Sequence, residues 1–248
     1  MIFATDLDRT TIYSKIFLDE KLPSECMEIL NDKPISYMTK SAIKLLNELV
    51  QKDKIIPVTT RSIEQYKRVK PFQSCRYAIT SNGGTILYNG QILEEWEVKI
   101  CDIVKEHLHQ MEYMMEEIEK QEFFINKPKL VDDKFIFTKT NNVLKCCAYL
   151  KQLVNPAFQI SIQNQKVYII PNKISKVGAL KFLKQKLKEK ELIVAGDSNL
   201  DVDMLNLADI AIIPGHSTLK IENPNTIYLS SKGLKAGEDI LEMVMEKL

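Results

Sequence analysis

Two closely spaced pairs of carboxylates are the residues of this chain best suited to chemistry. Asp6 and Asp8 stand two positions apart, directly after the apolar run of residues 2–4. Side chains at i and i+2 of an extended segment project to the same side, so both carboxylates would share one crevice. If the run is a strand of a parallel sheet, that crevice lies at the carboxyl edge, where α/β proteins bind ligands.

The second pair, Asp197 and Asp201, directly follows another apolar run, residues 192–195. Taken alone, this segment could be a helix N-cap, because Asp and Ser accept the free N–H groups of a first turn. Four carboxylates at the ends of two neighbouring strands would repel by about 4 kcal/mol per close pair at an effective dielectric constant of about 20. The pattern therefore predicts a cation among them, and an all-oxygen ligand set favours a hard ion such as Mg²⁺.

The apolar pattern predicts an α/β unit at both ends of the chain. Strand and helix patterns alternate, which indicates a parallel sheet with crossover helices. The predicted elements are strand 2–6, helix 41–52 capped by Thr39, strand 55–59, a helix from Ser62, strand 77–81, helix 175–188, strand 191–196, helix 201–208, strands 209–213 and 226–229, and helix 237–248.

The middle of the chain has a different order of elements. It predicts an antiparallel sheet with helices, which is an α+β unit. The predicted elements are a hairpin over 85–94, helix 97–121, strands 122–126 and 134–138, helix 141–154, and strands 158–163 and 166–170. We therefore predict a Rossmann-like core domain of residues 1–85 and 170–248, interrupted by an inserted α+β domain of residues 86–169.

Composition excludes several classes of partner. The 34 basic and 33 acidic residues give a net charge of +1, which offers no basic surface for nucleic acid or anionic lipid. No apolar run approaches the roughly 20 residues that span a bilayer. Five cysteines without a C-x-x-C pair, and a start unlike a secretory signal, lead us to expect reduced thiols in the cytoplasm. Three scattered histidines argue against a zinc site.

Four segments, taken in order, resemble the four motifs of the haloacid dehalogenase-like phosphatases. They are D-L-D-x-T at residues 6–10, V-T-T-R at 58–61, S-K-x-x-A-L at 175–180 and G-D-S-x-x-D at 196–201. The insertion between the second and third motifs resembles the α/β cap of one branch of that family. This branch contains the Cof-type sugar phosphatases, sucrose-phosphate phosphatase and mannosyl-phosphoglycerate phosphatase.

The resemblance implies a role for each matching residue. Asp6 would be the nucleophile and a metal ligand. Asp8 would be the general acid and base, with a backbone carbonyl that also binds the metal. The remaining catalytic and metal positions would be Thr59 on the phosphoryl group, Lys176 paired with Asp6 and the phosphate, Asp197 on Mg²⁺, and Asp201 completing the acidic pocket. Residues expected to contact substrate are Arg9, Thr60, Arg61, Asn82 and Gly83.

Three positions depart from the family pattern. The family usually has Gly where this chain has Arg9 and Thr60, and Asn where it has Leu200. Arg9 adds a positive charge beside the nucleophile, and Thr60 narrows the space near Arg61. Leu200 removes an oxygen that often helps to order the metal shell, so this departure bears on metal affinity more than on reaction type.

The function implied by the resemblance is Mg²⁺-dependent hydrolysis of a small phosphorylated metabolite, a sugar or polyol phosphate, through a phosphoaspartate. Two alternatives stay open at this point. One is a phosphomutase of the phosphomannomutase type, which uses the same nucleophile. The other is a degenerate member of the family that binds a phosphorylated ligand without turnover. The sequence names neither the substrate nor the oligomeric state.

Overall fold

The computed structural model describes residues 1–248 and divides the chain into two compact units. The core unit joins Met1–Leu93 to Lys176–Leu248, and the inserted unit comprises Glu94–Ser175. The two junctions lie eight and six residues later than the predicted boundaries at 85/86 and 169/170. Strand pairing explains the difference, because Thr85 pairs with Thr80 in the core unit and Pro171 pairs with Phe158 in the inserted unit.

The first part of the core unit contains seven strands and two helices. Strands β2 and β3 form an antiparallel hairpin, and β5, β6 and β7 form a second antiparallel sheet. The bounds are β1 (Ile2–Thr5), β2 (Ser24–Leu30), β3 (Lys33–Thr39), α1 (Lys40–Gln51), β4 (Ile55–Pro57), α2 (Ile63–Lys67), β5 (Tyr77–Thr80), β6 (Thr85–Tyr88) and β7 (Gln91–Ile92).

The inserted unit is a four-stranded antiparallel sheet with two helices and its own apolar core. Its elements are α3 (Glu94–Glu119), β8 (Lys129–Val131), β9 (Phe135–Lys139), α4 (Val143–Leu153), β10 (Phe158–Gln163) and β11 (Lys166–Pro171). The predicted strand at 122–126 is wrong, and the strand in this region is β8. The rings of Phe123 and Phe124 pack on Tyr149, and Phe124 makes only an isolated antiparallel bridge to Thr140, so the run does not extend into a strand.

The last part of the chain completes a five-stranded sheet in the order β14-β13-β12-β1-β4, and every pair in it is parallel. This sheet confirms the predicted α/β core. In its register Thr5 lies beside Ala195, so Asp6 and Gly196 leave the sheet side by side. The bounds are α5 (Lys176–Leu187), β12 (Leu192–Ala195), α6 (Val202–Leu207), β13 (Ile210–Ile213), β14 (Thr226–Tyr228) and α7 (Gly233–Lys247).

The last helix begins at Gly233, four residues before the predicted start at position 237. Glycine disfavours helix interiors, so a glycine within this helix needs a structural reason. In the structure Gly237 lies inside α7, where a Cβ would come within 2.9 Å of the ring of Tyr13. The glycine therefore allows the helix to pass close to the chain that follows β1. No helix combines the length and apolar composition needed to cross a bilayer.

Helix α1 begins as predicted, with Thr39 as its N-cap. The Thr39 hydroxyl accepts a hydrogen bond from the Ala42 N–H at 3.0 Å, and Leu46 and Leu49 are buried on the inner face. The same hydroxyl donates to Glu238 of α7. The cap therefore joins the first helix to the last one.

We expect Thr39→Ala to lower the free energy of unfolding by about 1 kcal/mol more than Thr39→Ser does, because serine keeps the capping oxygen. Urea unfolding of both variants, followed by circular dichroism, measures the difference. Equal losses in the two variants would show that the buried methyl group of Thr39, and not its hydroxyl, supports α1.

Candidate active site

A buried lysine joins the carboxylates that follow the two central strands. Asp6 continues β1, and its N–H donates to the Ala195 carbonyl at 2.9 Å. Lys176 is the first residue of α5, and its Nζ lies 2.6 Å from Oδ1 of Asp6 and 2.6 Å from Oδ1 of Asp201. Lys176, Asp6 and Asp201 are all buried. Three segments that are distant in sequence are thus held together by one ammonium group.

The turn after β12 is organised around the other oxygen of Asp201. Its Oδ2 accepts the N–H of Asp197 at 3.2 Å, the N–H of Ser198 at 2.9 Å and the Ser198 hydroxyl at 2.8 Å. A Cβ on Gly196 would lie 2.6 Å from the Cβ of Asp201, so only glycine fits at this position. With one oxygen on Lys176 and the other on the turn, Asp201 supports the site more than it offers a free ligand.

In the same turn, the Asp197 carboxylate lies near the side chains of Arg9 and His216. The Arg9 Nε lies 3.4 Å from its Oδ2, and the His216 Nε2 lies 3.9 Å from the same oxygen. Burial, together with the neighbouring Asp201 carboxylate, raises the pKa of Asp197 to about 7, although Arg9 and Lys176 act in the opposite direction. Without a cation nearby, the ionised form of Asp197 is therefore disfavoured.

The protonation of Asp6 and Lys176 follows the same balance of burial against charge. Burial holds the pKa of Asp6 well above its ordinary value, although the Lys176 ammonium opposes this shift. Burial alone would lower the pKa of Lys176, but Asp201 and Asp6 together raise it above its ordinary value. Lys176 is accordingly charged at neutral pH, and one ammonium does not offset the surrounding acids.

The residues present fit a hard cation. One carboxylate oxygen from each of Asp6, Asp197 and Asp201 lies within 4.8 Å of the other two. Oxygen donors without His or Cys suit Mg²⁺. The raised pKa of Asp197 agrees with this, because a bound cation would stabilise the carboxylate that burial and the nearby Asp201 disfavour.

Asp8, the other acid of the first pair, is paired with Arg61. Arg61 donates two hydrogen bonds to it, from Nε to Oδ2 at 2.7 Å and from Nη2 to Oδ1 at 2.8 Å. A third guanidinium nitrogen, Nη1, donates to the buried Glu28 at 2.7 Å. Arg61, expected to contact substrate, thus binds two carboxylates of the chain itself.

The segment after β4 is tied to the turn between β5 and β6. The Thr59 hydroxyl accepts the Arg61 N–H at 3.2 Å, and its carbonyl accepts the Asn82 N–H at 3.0 Å. Asn82 has φ of 56°, and Gly83 beside it has φ of 92°, so this turn uses left-handed backbone at both positions. Thr59, Asn82 and Gly83 are buried, while Thr60 is half-buried.

Arg9 occupies a position where the backbone is left-handed, with φ of 63°. Glycine adopts this conformation without strain, which accounts for the glycine usual in the family motif. Here the Arg9 carbonyl is hydrogen-bonded to His216 Nε2 at 2.9 Å, and the guanidinium lies over the ring of Phe17. These contacts hold a non-glycine residue in the loop beside Asp197.

Sequence reasoning missed two residues that contact the site. His216 matches none of the four motifs, so no local sequence signal indicates its contact with Arg9 and Asp197. Glu28 was not singled out because it lies in β2, a strand without regular alternation and with register irregularities between Cys26 and Ile29. Their partners, Arg9 and Arg61, are far away along the chain, and no local pattern carries that information.

Comparison with known proteins adds a family match. A family model for the haloacid dehalogenase-like hydrolases matches residues 98–224, slightly more than half of the chain. A search of curated proteins gave no match.

Several solved structures share the fold over nearly the whole chain. A sucrose-phosphatase from Synechocystis, solved with sucrose and phosphate, is 15% identical with a TM-score of 0.69, covering 99% of this chain and 97% of its own. A protein from Thermoplasma acidophilum is 16% identical with a TM-score of 0.67, covering 99% of both chains. A HAD/COF-like hydrolase from Plasmodium vivax is 13% identical with a TM-score of 0.65. The match covers 100% of this chain and 96% of the Plasmodium chain. At these identities the likeness concerns the fold.

The pKa of Asp197 predicts how stability depends on pH when metal is removed. The folded protein keeps a proton on Asp197 up to about pH 7, whereas the unfolded chain releases it near the ordinary value of 3.8. Between these values the folded state binds more protons, so its stability falls as pH rises. We expect Asp197→Asn to remove up to about 1 kcal/mol per pH unit of that slope.

Urea unfolding in excess chelator, at a series of pH values from 4 to 8, measures this slope. Asp203→Asn is the matched control, because Asp203 is an exposed carboxylate only six positions away. An Asp197→Asn slope equal to that of the control would show that Asp197 keeps its ordinary pKa in the folded protein.

Proposed function

The chain belongs to the haloacid dehalogenase-like hydrolases, and from that premise we propose that it is a Mg²⁺-dependent phosphatase of a small phosphorylated metabolite. The observation that carries this proposal is the buried Lys176 held between Asp6 and Asp201, with Asp197 beside them. A carboxylate nucleophile next to a buried ammonium and a cation-binding cluster suits attack on a phosphate dianion. Such a site works mainly by positioning and by stabilising charge.

In the proposed reaction, a carboxylate oxygen of Asp6 attacks phosphorus and the bond from phosphorus to the ester oxygen breaks. Asp8 gives its proton to that oxygen, so the product leaves as an alcohol. Asp8 then takes a proton from water, and the hydroxide attacks phosphorus. The bond from phosphorus to Asp6 breaks, which releases inorganic phosphate and restores both carboxyl groups.

The other residues of the site position these groups. Lys176 places a positive charge against Asp6 and the phosphoryl oxygens, and Asp201 holds Lys176 in place. Thr59 would donate a hydrogen bond to the phosphoryl group, and its backbone joins the Asn82 turn to the same edge. Arg9, Thr60, Asn82 and Gly83 are proposed substrate contacts, of which Arg9 brings a positive charge beside Asp197.

The metal would be held by Asp6, Asp197 and the backbone carbonyl of Asp8, with Asp201 closing the acidic pocket. When bound, Mg²⁺ would act as a Lewis acid that offsets negative charge on the phosphoryl oxygens. A sugar or polyol phosphate is the proposed substrate class. The Synechocystis relative of the same fold was solved with sucrose and phosphate, which supports this choice.

We expect Asp6→Asn to lower phosphate release from p-nitrophenyl phosphate by about a thousandfold or more, because an amide is a poor nucleophile. Asp203→Asn, which removes an exposed carboxylate, should keep the wild-type rate. Wild-type activity should also be lost in excess EDTA and return with added Mg²⁺. Turnover by Asp6→Asn would contradict the covalent route, and full activity in EDTA would contradict the metal requirement.

A panel of sugar and polyol phosphates, read by released inorganic phosphate, tests the substrate class. The same reactions analysed for isomerised sugar phosphate separate hydrolysis from phosphomutase activity. Isomerised product formed without phosphate release would favour the mutase. Tight binding of a sugar phosphate without either product would favour a ligand-binding module.

Leu200 predicts a weak metal site. It lies in the turn between Asp197 and Asp201, where the related enzymes usually carry Asn. We expect Leu200→Asn to lower the Mg²⁺ concentration that gives half-maximal activity several-fold, because it restores an oxygen near the metal shell. Leu200→Ala is the control, since it shortens the side chain without adding an oxygen. Equal Mg²⁺ requirements in both variants would show that position 200 does not contact the metal shell.

A further inference from the structure

Glu28 is a buried carboxylate that belongs to none of the four motifs. It lies on β2 and is 1% exposed. Its Oε2 accepts Arg61 Nη1 at 2.7 Å and the Ser36 hydroxyl at 2.9 Å, and its Oε1 accepts Arg68 Nε at 3.1 Å. A buried charge with three such donors is built into the structure rather than left at the surface.

The Arg61 guanidinium connects Glu28 to Asp8. Two of its N–H groups are given to Asp8 and a third to Glu28. The guanidinium is a rigid planar fork, so partners at both ends fix the orientation of its plane. The Asp8 side chain is 49% exposed and the Arg61 side chain is 13% exposed. Arg61 therefore helps to orient Asp8, and the buried Glu28 helps to orient Arg61.

We propose that Glu28 is a positioning residue for the general acid, and that it acts through Arg61 to aim Asp8 at the leaving oxygen. This inference rests on the proposed phosphatase function. The role requires a charged group, because hydrogen bonds between ions are roughly twice as strong as neutral ones. Glu28 does not touch substrate in this scheme; its effect reaches the reaction only through the Asp8 carboxyl group.

A purely structural role for Glu28 makes a different prediction. Glu28 also joins the β2–β3 hairpin to Arg68, so its loss could loosen the whole site and slow every substrate alike. A positioning role for the acid should instead depend on the leaving group. Phenyl phosphate needs a proton on its leaving oxygen, whereas p-nitrophenolate is stable enough to leave without one. Because these substrates differ only in a nitro group, their ratio reports the proton donor.

The test compares kcat/KM for both substrates, because this constant reports the steps up to release of the phenol. We expect Glu28→Gln to lower kcat/KM for phenyl phosphate by about tenfold to a hundredfold, and for p-nitrophenyl phosphate by less than about threefold. Glu64→Gln is the matched control, because Glu64 also pairs with Arg68, at 3.4 Å, but is 88% exposed. It should leave both constants unchanged.

A double variant tests the route through Asp8. Adding Glu28→Gln to Asp8→Asn should cause no further loss on phenyl phosphate, because the group that Glu28 positions is already absent. A further tenfold loss would overturn the proposal. If Glu28→Gln fails to fold, Ser36→Ala replaces it, since it removes one hydrogen bond from Glu28 and keeps the charge. It should change the substrate ratio in the same direction, by a smaller factor.

The outcomes separate this proposal from the one on which it rests. Equal losses on the two substrates, or no loss on either, would overturn the role of Glu28 while the wild-type phosphatase activity stands. No phosphate release by the wild-type protein from either substrate would overturn both proposals. A selective loss on phenyl phosphate, absent in Glu64→Gln, would support the positioning role.

Discussion

The shared ion pair of Lys176 with Asp6 and Asp201 is the interaction on which the rest of the site depends. Removing a charge from water is costly unless its partners are close and well oriented, and Nζ has both partners at 2.6 Å. This arrangement requires the end of β1, the start of α5 and the turn after β12 to meet at one point. The parallel register of Thr5 with Ala195 brings two of these segments together, and α5 supplies the third.

Much of this could be predicted because the relevant signals are local. Apolar runs followed by acids predict Asp6 and Asp197 at strand ends, and cap and turn residues predict the Thr39 N-cap and the hairpin over 85–94. The parallel sheet then follows from the alternation of strands and helices. The four motifs could be found in order for the same reason, since each is a short run of neighbouring residues.

The contacts that could not be predicted join segments that are far apart in sequence. Glu28 contacts Arg61 and Arg68 because the β2–β3 hairpin folds back onto the core. The irregular register of this hairpin means that the sequence pattern does not show which side chains face inward. The strand predicted at 122–126 failed for a related reason. Two adjacent phenylalanines satisfy a strand pattern, yet both rings pack on Tyr149 of α4, and Phe124 makes only an isolated bridge to Thr140. Packing decides such cases, and packing is not visible in a local pattern.

Charge balance explains why the two acidic groups of the site would do different work. The carboxylates of Asp6, Asp197 and Asp201 share one buried ammonium. Arg9, the other nearby cation, is 47% exposed, so negative charge is left over for a divalent cation. Around Asp8 the carboxylates of Asp8 and Glu28 meet two guanidinium groups, Arg61 and Arg68, and the Glu64 carboxylate that also pairs with Arg68 is 88% exposed to solvent. A cation is therefore attracted to the first group and not to the second. The Asp8 carboxylate is instead paired with Arg61, which fixes its orientation.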